Sequence, residues 1–140
     1  MLASTLVFAA CKKKGCMDAN AQNYDAEAEK DDASCTYNAY ATFWFDQATS
    51  ISQSQAGTTT IEVFVGDVSG GSLPVGSYAG PATPSCGGNN TIAVTKNLGA
   101  SATKSLDWQA KDQNGNVLYS GTWESAGTAS SSDCKVIQIQ

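Results

Sequence analysis

TIEVFV, Thr60 to Val65, alternates apolar and polar positions at a period of two. A strand with that pattern turns Ile61, Val63 and Val65 toward a core, and Gly66-Asp67 then reverses the chain. Upstream, Ala39 to Asp46 (AYATFWFD) also alternates, with Tyr40, Thr42 and Trp44 on one face and Ala41, Phe43 and Phe45 on the other. Both faces carry aromatics, so one should meet the core while the other meets the acidic module or a sheet neighbour. Downstream, Ile92 and Val94 mark a third strand, and Leu106, Trp108 and Ala110 a fourth. Asp112 to Asn116 (DQNGN) contains Asn-Gly, a strong short-range hairpin signal, and Val117 to Trp123 forms the return strand. Cys134 to Gln140 (CKVIQIQ) closes the chain with Ile137 and Ile139 on the core side. Helical periodicity is absent, and Gly70-Gly71 and Gly87-Gly88 read as turns. A single sheet could not cover its own apolar face. The expected fold is therefore all-β: a two-sheet antiparallel sandwich of about six or seven strands, following a small N-terminal loop module.

The composition excludes more chemistry than it suggests. Hydrophobic residues make up 41% of the 140, enough for one core, and the formal charge is −5. All eight basic residues are Lys, with no Arg and no His. Imidazole acid/base catalysis, His-ligated zinc and guanidinium clamps on phosphate are thereby removed, and nucleic-acid binding is not expected. Lys104 and Ser105 are adjacent and so point to opposite faces of a strand, which rules out a Ser-Lys dyad. Asp107 and Glu124 could meet across strands as paired carboxylates, or simply be solvated. The reading is non-catalytic, with no required cofactor.

Five cysteines is an odd number, which calls for one thiol with a separate fate. Leu2 to Ala10 (LASTLVFAA) is too short to cross a bilayer as a helix and suits the apolar region of a signal peptide. The run Phe8-Ala9-Ala10-Cys11 resembles the lipobox of bacterial lipoproteins, in which the cysteine is acylated and becomes the first mature residue. It departs from that pattern in having Phe8 where Leu is usual and no basic residue ahead of the apolar run. The competing reading is a buried N-terminal strand with a free thiol. The resemblance implies residues 1–10 as signal peptide, residues 11–15 as a tether lipidated at Cys11, and a site in the bacterial cell envelope facing periplasm or exterior. Lys12 to Lys14 would sit favourably near anionic headgroups.

With Cys11 taken by lipid, the other four cysteines fall into two pairs. A Cys16–Cys35 bridge would be worth about 3 kcal/mol in a segment with little apolar mass, and a Cys86–Cys134 bridge about 4 kcal/mol. Residues 16–37 carry Asp18, Asp25, Glu27, Glu29, Asp31 and Asp32 against Lys30 alone, so the excess negative charge of the whole chain lies here. The stretch resembles a cysteine-bounded motif of bacterial secreted proteins and lipoproteins, roughly C-x-D-P-x-A-x-N-Y-D-P-x-A-x-x-D-D-G-S-C-x-Y. Ala19 and Ala26 replace its prolines, and Ala33 its glycine. Asp18, Asn23, Asp25, Asp31 and Asp32 are hard oxygen donors that would suit Ca²⁺, although the spacing is not that of an EF-hand. The other reading is a solvated acidic loop. Of the large apolar groups here, Met17, Tyr24 and Tyr37 should pack on the ring or on the neighbouring domain.

Residues 38–140 form the sandwich domain. The order of Phe43-Trp44-Phe45, the Ile61 to Gly66 strand, Tyr78 ahead of Pro84-Ser85-Cys86-Gly87, the Ala110-Lys111-Asp112 hairpin and the late Cys134 is similar to PEGA-like or transthyretin-like β-sandwich domains of bacterial lipoproteins. That similarity covers about residues 41–140. Together these features point to an envelope-anchored structural or interaction module whose partners are the membrane and an envelope protein or glycan. The alternative is a carbohydrate- or peptide-binding module using an exposed aromatic row drawn from Trp44, Phe64, Trp108, Tyr119 and Trp123.

Overall fold

The computed structural model describes residues 11–140. Two short strands, β1 (Lys14–Gly15) and β2 (Lys30–Asp31), pair in parallel within the acidic module. The rest of the chain runs β3 (Tyr37–Trp44), α1 (Gln47–Gln55), β4 (Thr60–Val65), β5 (Val68–Pro74), β6 (Ile92–Gly99), β7 (Thr103–Lys111), β8 (Val117–Ala126), a 3-10 turn at Ser131–Asp133, and β9 (Lys135–Gln138). A three-stranded sheet in the order β6-β3-β9 faces a four-stranded sheet in the order β5-β4-β7-β8. The protein is thus an all-β two-sheet sandwich of seven strands, stapled by disulfides Cys16–Cys35 and Cys86–Cys134.

Alternation sets which residues fill the space between the sheets. Ile61, Val63 and Val65 of β4 are sealed from water, as are Ala41 and Phe43 of β3 and Phe45 just beyond it. Leu106, Trp108 and Ala110 of β7, beside β4 in the same sheet, meet the β3 side chains across the core, and the rings of Phe43 and Trp108 pack edge to face with centroids 5.3 Å apart. Gly121 lies opposite Trp108 across the β7–β8 ladder, where a Cβ would come within 2.9 Å of the indole nitrogen. The glycine makes room for the ring. Ile139 is fully buried, and its N–H donates to the Trp44 carbonyl at 2.8 Å.

Three details depart from the sequence expectation. The first is α1, a nine-residue helix where no helical period is visible. Its sequence, QATSISQSQ, is polar all round, so it has no apolar stripe to reveal it. Its ends define it instead. The Asp46 carboxylate accepts from the Thr49 N–H at 2.8 Å, and Gly57, at φ +84°, follows the Ala56 cap. The N–H groups of Gly57 and Thr58 close back on Ser54 and Gln53, a Schellman arrangement. The helix is fastened to the sandwich by Gln53, which donates to the Tyr119 hydroxyl, and by Ser50, which donates to the Val75 carbonyl.

The second departure is β9, which runs parallel to β3, whereas the other sandwich ladders are antiparallel. The β8–β9 connection passes from one sheet to the other and so escapes hairpin geometry. The third concerns Gly70-Gly71, which lie inside β5 rather than in a turn. Gly70 is the extra residue of a bulge opposite Val63 and Phe64, and a Cβ there would collide with the Val94 side chain of β6. Its absence lets the two sheets close along the β5–β6 side.

Candidate functional site

The acidic module is a ring closed by Cys16–Cys35 and seated on one end of the sandwich. Cys16 and Ala21 are buried in the same apolar cluster as Tyr37, Phe43 and Trp108, with Cys35 packed against it. Gln22 donates to the Thr128 carbonyl at 2.7 Å, and the Tyr37 hydroxyl donates to Asp18 at 2.7 Å. Tyr37 does pack on the domain. Met17 and Tyr24, in contrast, are about half exposed.

The five oxygen ligands proposed from the sequence are used within the ring. Asp18, Asp25, Asp31 and Asp32 each accept the N–H two residues ahead, from Asn20, Glu27, Ala33 and Ser34 respectively, at 2.9 to 3.1 Å. These are Asx turns, one local motif repeated four times. Asn23 accepts from the Thr36 N–H at 2.8 Å and donates to the Ser34 carbonyl at 2.7 Å, tying the ring's middle to its exit. Among the described residues no three acidic, cysteine or histidine side chains are placed to hold one metal ion.

The cation that relieves the crowding is Lys13. Its ammonium lies 2.9 Å from Asp25 and 2.8 Å from Glu27. Hydrogen bonds to Glu27 and Asp25 raise the Lys13 pKa, while Lys13 holds the Asp25 carboxyl below its ordinary value. The Tyr37 hydroxyl lowers Asp18 and is itself pushed up by it, and hydrogen bonds from Ser34 lower Asp32. Lys13, Glu27 and Asp32 are exposed, so the contacts of these charges are each worth little by themselves. Composition does not reveal Lys13 because the partners are twelve and fourteen residues away; the β1–β2 pairing and the Cys16–Tyr24 bridge bring them together.

Cys11 is exposed and is the free cysteine among the described residues, followed by exposed Lys12, Lys13 and Lys14. The proposed signal peptide, residues 1–10, lies outside the described residues. Among the described residues no helix is long and apolar enough to cross a membrane.

The second disulfide acts on the outer face of β3. The Thr42 hydroxyl accepts from the Gly87 N–H at 3.0 Å and lies 3.3 Å from the Cys134 sulfur. The Cys86 loop is thereby laid over the three-stranded sheet, which accounts for the burial of Thr42 on the face opposite the core.

The aromatic candidates do not form an exposed row. Trp44, Trp108 and Trp123 are 6%, 7% and 2% exposed, while Phe64 and Tyr119 are half-buried. Tyr119 faces inward and holds α1 through Gln53. Phe64 lies on the outer face of the four-stranded sheet beneath the Lys111 ammonium, 4.5 Å from its centroid. Glu62, Ser72, Asp112 and Gln113 complete a shallow cleft around it. Asp107 and Glu124 are exposed on that same face and are not opposite each other. Asp107 pairs with Thr122 and Glu124 with Ser105, and each carboxylate accepts from the hydroxyl across from it, at 3.3 and 2.6 Å. Comparison with known protein families, curated proteins and solved structures finds no match to this chain.

Proposed function

We propose that this chain is a non-catalytic lipoprotein of the bacterial cell envelope, anchored through Cys11 and acting as a structural or interaction module. The observation that carries this reading is the division of the thiols. Cys16, Cys35, Cys86 and Cys134 are joined in two disulfides, and Cys11 is free and exposed. Disulfides suit an oxidising compartment, which is where a lipobox cysteine is delivered. Lys12 and Lys14, close after Cys11 and outside the Lys13 ion pairs, would carry positive charge near anionic headgroups, ahead of the acidic ring. The ring then spaces the sandwich from the membrane. Burial of all three tryptophans supports a structural role over sugar stacking.

Intact-mass analysis of membrane and soluble fractions tests the assignment. The wild-type chain should be found with the membrane, starting at Cys11 and carrying the mass of acyl chains that reductant does not remove. Cys11→Ala should lose that mass and leave the membrane fraction. A soluble wild-type chain bearing an unmodified Cys11 thiol would refute the anchor.

A further inference from the structure

The sandwich has four sheet edges, and they are not protected alike. β9 is only four residues long and begins with Lys135. β5 is broken by the Gly70 bulge, ends on Pro74 and lies against β6, so these two edges shield each other. Short strands, lysine, proline, bulges and covering segments are the usual means of blunting an edge. β8 has ten residues, VLYSGTWESA, with no proline and no lysine, and Glu124 is its single charge. Its pairing with β7 is regular from Tyr119 to Ala126.

The direction of its free backbone groups follows from the ladder. Gly127, directly after β8, donates its N–H to the Ala102 carbonyl at 2.7 Å. Hydrogen-bonded positions alternate in an antiparallel pair, so Tyr119, Gly121, Trp123 and Ser125 bond to β7. Ser120, Thr122 and Glu124 therefore point their N–H and C=O groups away from the sheet. Among the described residues none of these three makes a backbone hydrogen bond outside the sheet ladder, and their side chains are exposed. Tyr40, Glu124, Asp133 and Lys135 line a hollow between the end of β8 and the turn that follows it.

We propose that β8 is a self-association edge, on which a second copy of this chain pairs antiparallel about a two-fold axis at Thr122. The occupant is inferred from the strand's own complementarity. In that register Thr122 meets Thr122, a favourable cross-strand pair, and each Ser120 hydroxyl faces the partner's Glu124 carboxylate. The two Glu124 charges fall on opposite sides of the axis, so no like charges are opposed. The four-stranded sheets of two molecules would join into one continuous sheet. The contact is small beside a standard interface of about 800 Å² per partner, so it is weak in dilute solution. It does not depend on the lipid anchor.

Sedimentation of the full chain carrying Cys11→Ser, which removes dimers formed through that thiol, tests the proposal over micromolar to millimolar concentrations. A reversible dimer is expected. Thr122→Lys should weaken it at least tenfold with an unchanged melting temperature, because the side chain is exposed and the β7 ladder is untouched. Thr122→Pro should also abolish it, since it removes an outward N–H; should that variant fail to fold, Thr122→Lys decides. A chain that stays monomeric to millimolar concentration, or a dimer indifferent to Thr122→Lys, overturns the proposal.

Discussion

Phe43, Phe45, Ile61 and Val63 are sealed completely inside the sandwich, whereas the ring between Cys16 and Cys35 buries only Cys16 and Ala21 between its ends. The sandwich is held by apolar area with aromatic packing, and Ser125, a polar side chain on its inward face, is satisfied by the Lys104 carbonyl. The ring has no such core. Its order comes from one covalent bond, four Asx turns, a short parallel pairing and the Lys13 ion pairs. The same chain therefore solves folding once by removing surface from water and once by restricting a loop that cannot. These two solutions should respond differently to the same kinds of damage.

The largest expected effect is on the sandwich. Phe43→Ala empties the centre of the apolar cluster and removes the edge-to-face partner of Trp108. Loss of that burial, with the cavity left behind, should cost about 3–5 kcal/mol. Urea unfolding followed by tryptophan fluorescence measures it, since Trp108 and Trp123 are both core residues. A loss under about 1 kcal/mol would mean that the sheets are not held by this layer.

Cutting the ring should be smaller and more local. Cys16→Ala with Cys35→Ala removes a crosslink spanning 19 residues, which the loop-entropy relation values at about 3 kcal/mol. Hydrogen exchange should show where the loss falls. The N–H groups of Gln22, Asp25 and Asp32, bonded to Thr36, Cys16 and Gly15, should lose protection, while those of β4 and β7 keep theirs. If strand amides open together with ring amides, the two regions form one cooperative unit and the contrast fails.

The sandwich was the more legible of the two in the sequence, because burial imprints a period. TIEVFV shows the alternation that β4 realises, and Ile139 is sealed as its place in CKVIQIQ implies. The double-faced AYATFWFD stretch implies a cover on the second side of β3 from the acidic module or a sheet neighbour, whereas at Thr42 the cover is the Cys86 loop, brought there by a disulfide that leaves no period in the strand. Elements fixed by single residues left fainter marks. α1 is written only in Asp46 and Gly57, and the parallel course of β9 depends on which sheet receives it, a tertiary choice. In the ring, spaced carboxylates look the same whether they serve a cation or their own backbone. Residues on strands drew attention as a binding row because they are aromatic. The inward positions of Trp108, Tyr119 and Trp123 follow from the β7–β8 register, which pairs Leu106 with Trp123 and Ala110 with Tyr119.

The smallest effect should be a gain, and it falls on the ring. Ala33 has φ +59°, a left-handed conformation that an L side chain adopts at a cost of about 1–2 kcal/mol and glycine adopts freely. It is held there by its neighbours: its own N–H bonds to Asp31, and the next N–H, that of Ser34, bonds to Asp32. Ala33→Gly should therefore stabilise the ring by about 1 kcal/mol, the relief of strain exceeding the added freedom of the unfolded chain. Exchange protection at the Asp25 and Asp32 amides should rise, and that of the β4 amides should stay unchanged. The same substitution made where the backbone is extended would have the opposite sign, so the direction of the change tests the conformation itself. A ring that loosens with glycine would show that Ala33 is not left-handed in solution, and that the crosslink rather than the turns sets the shape of the loop.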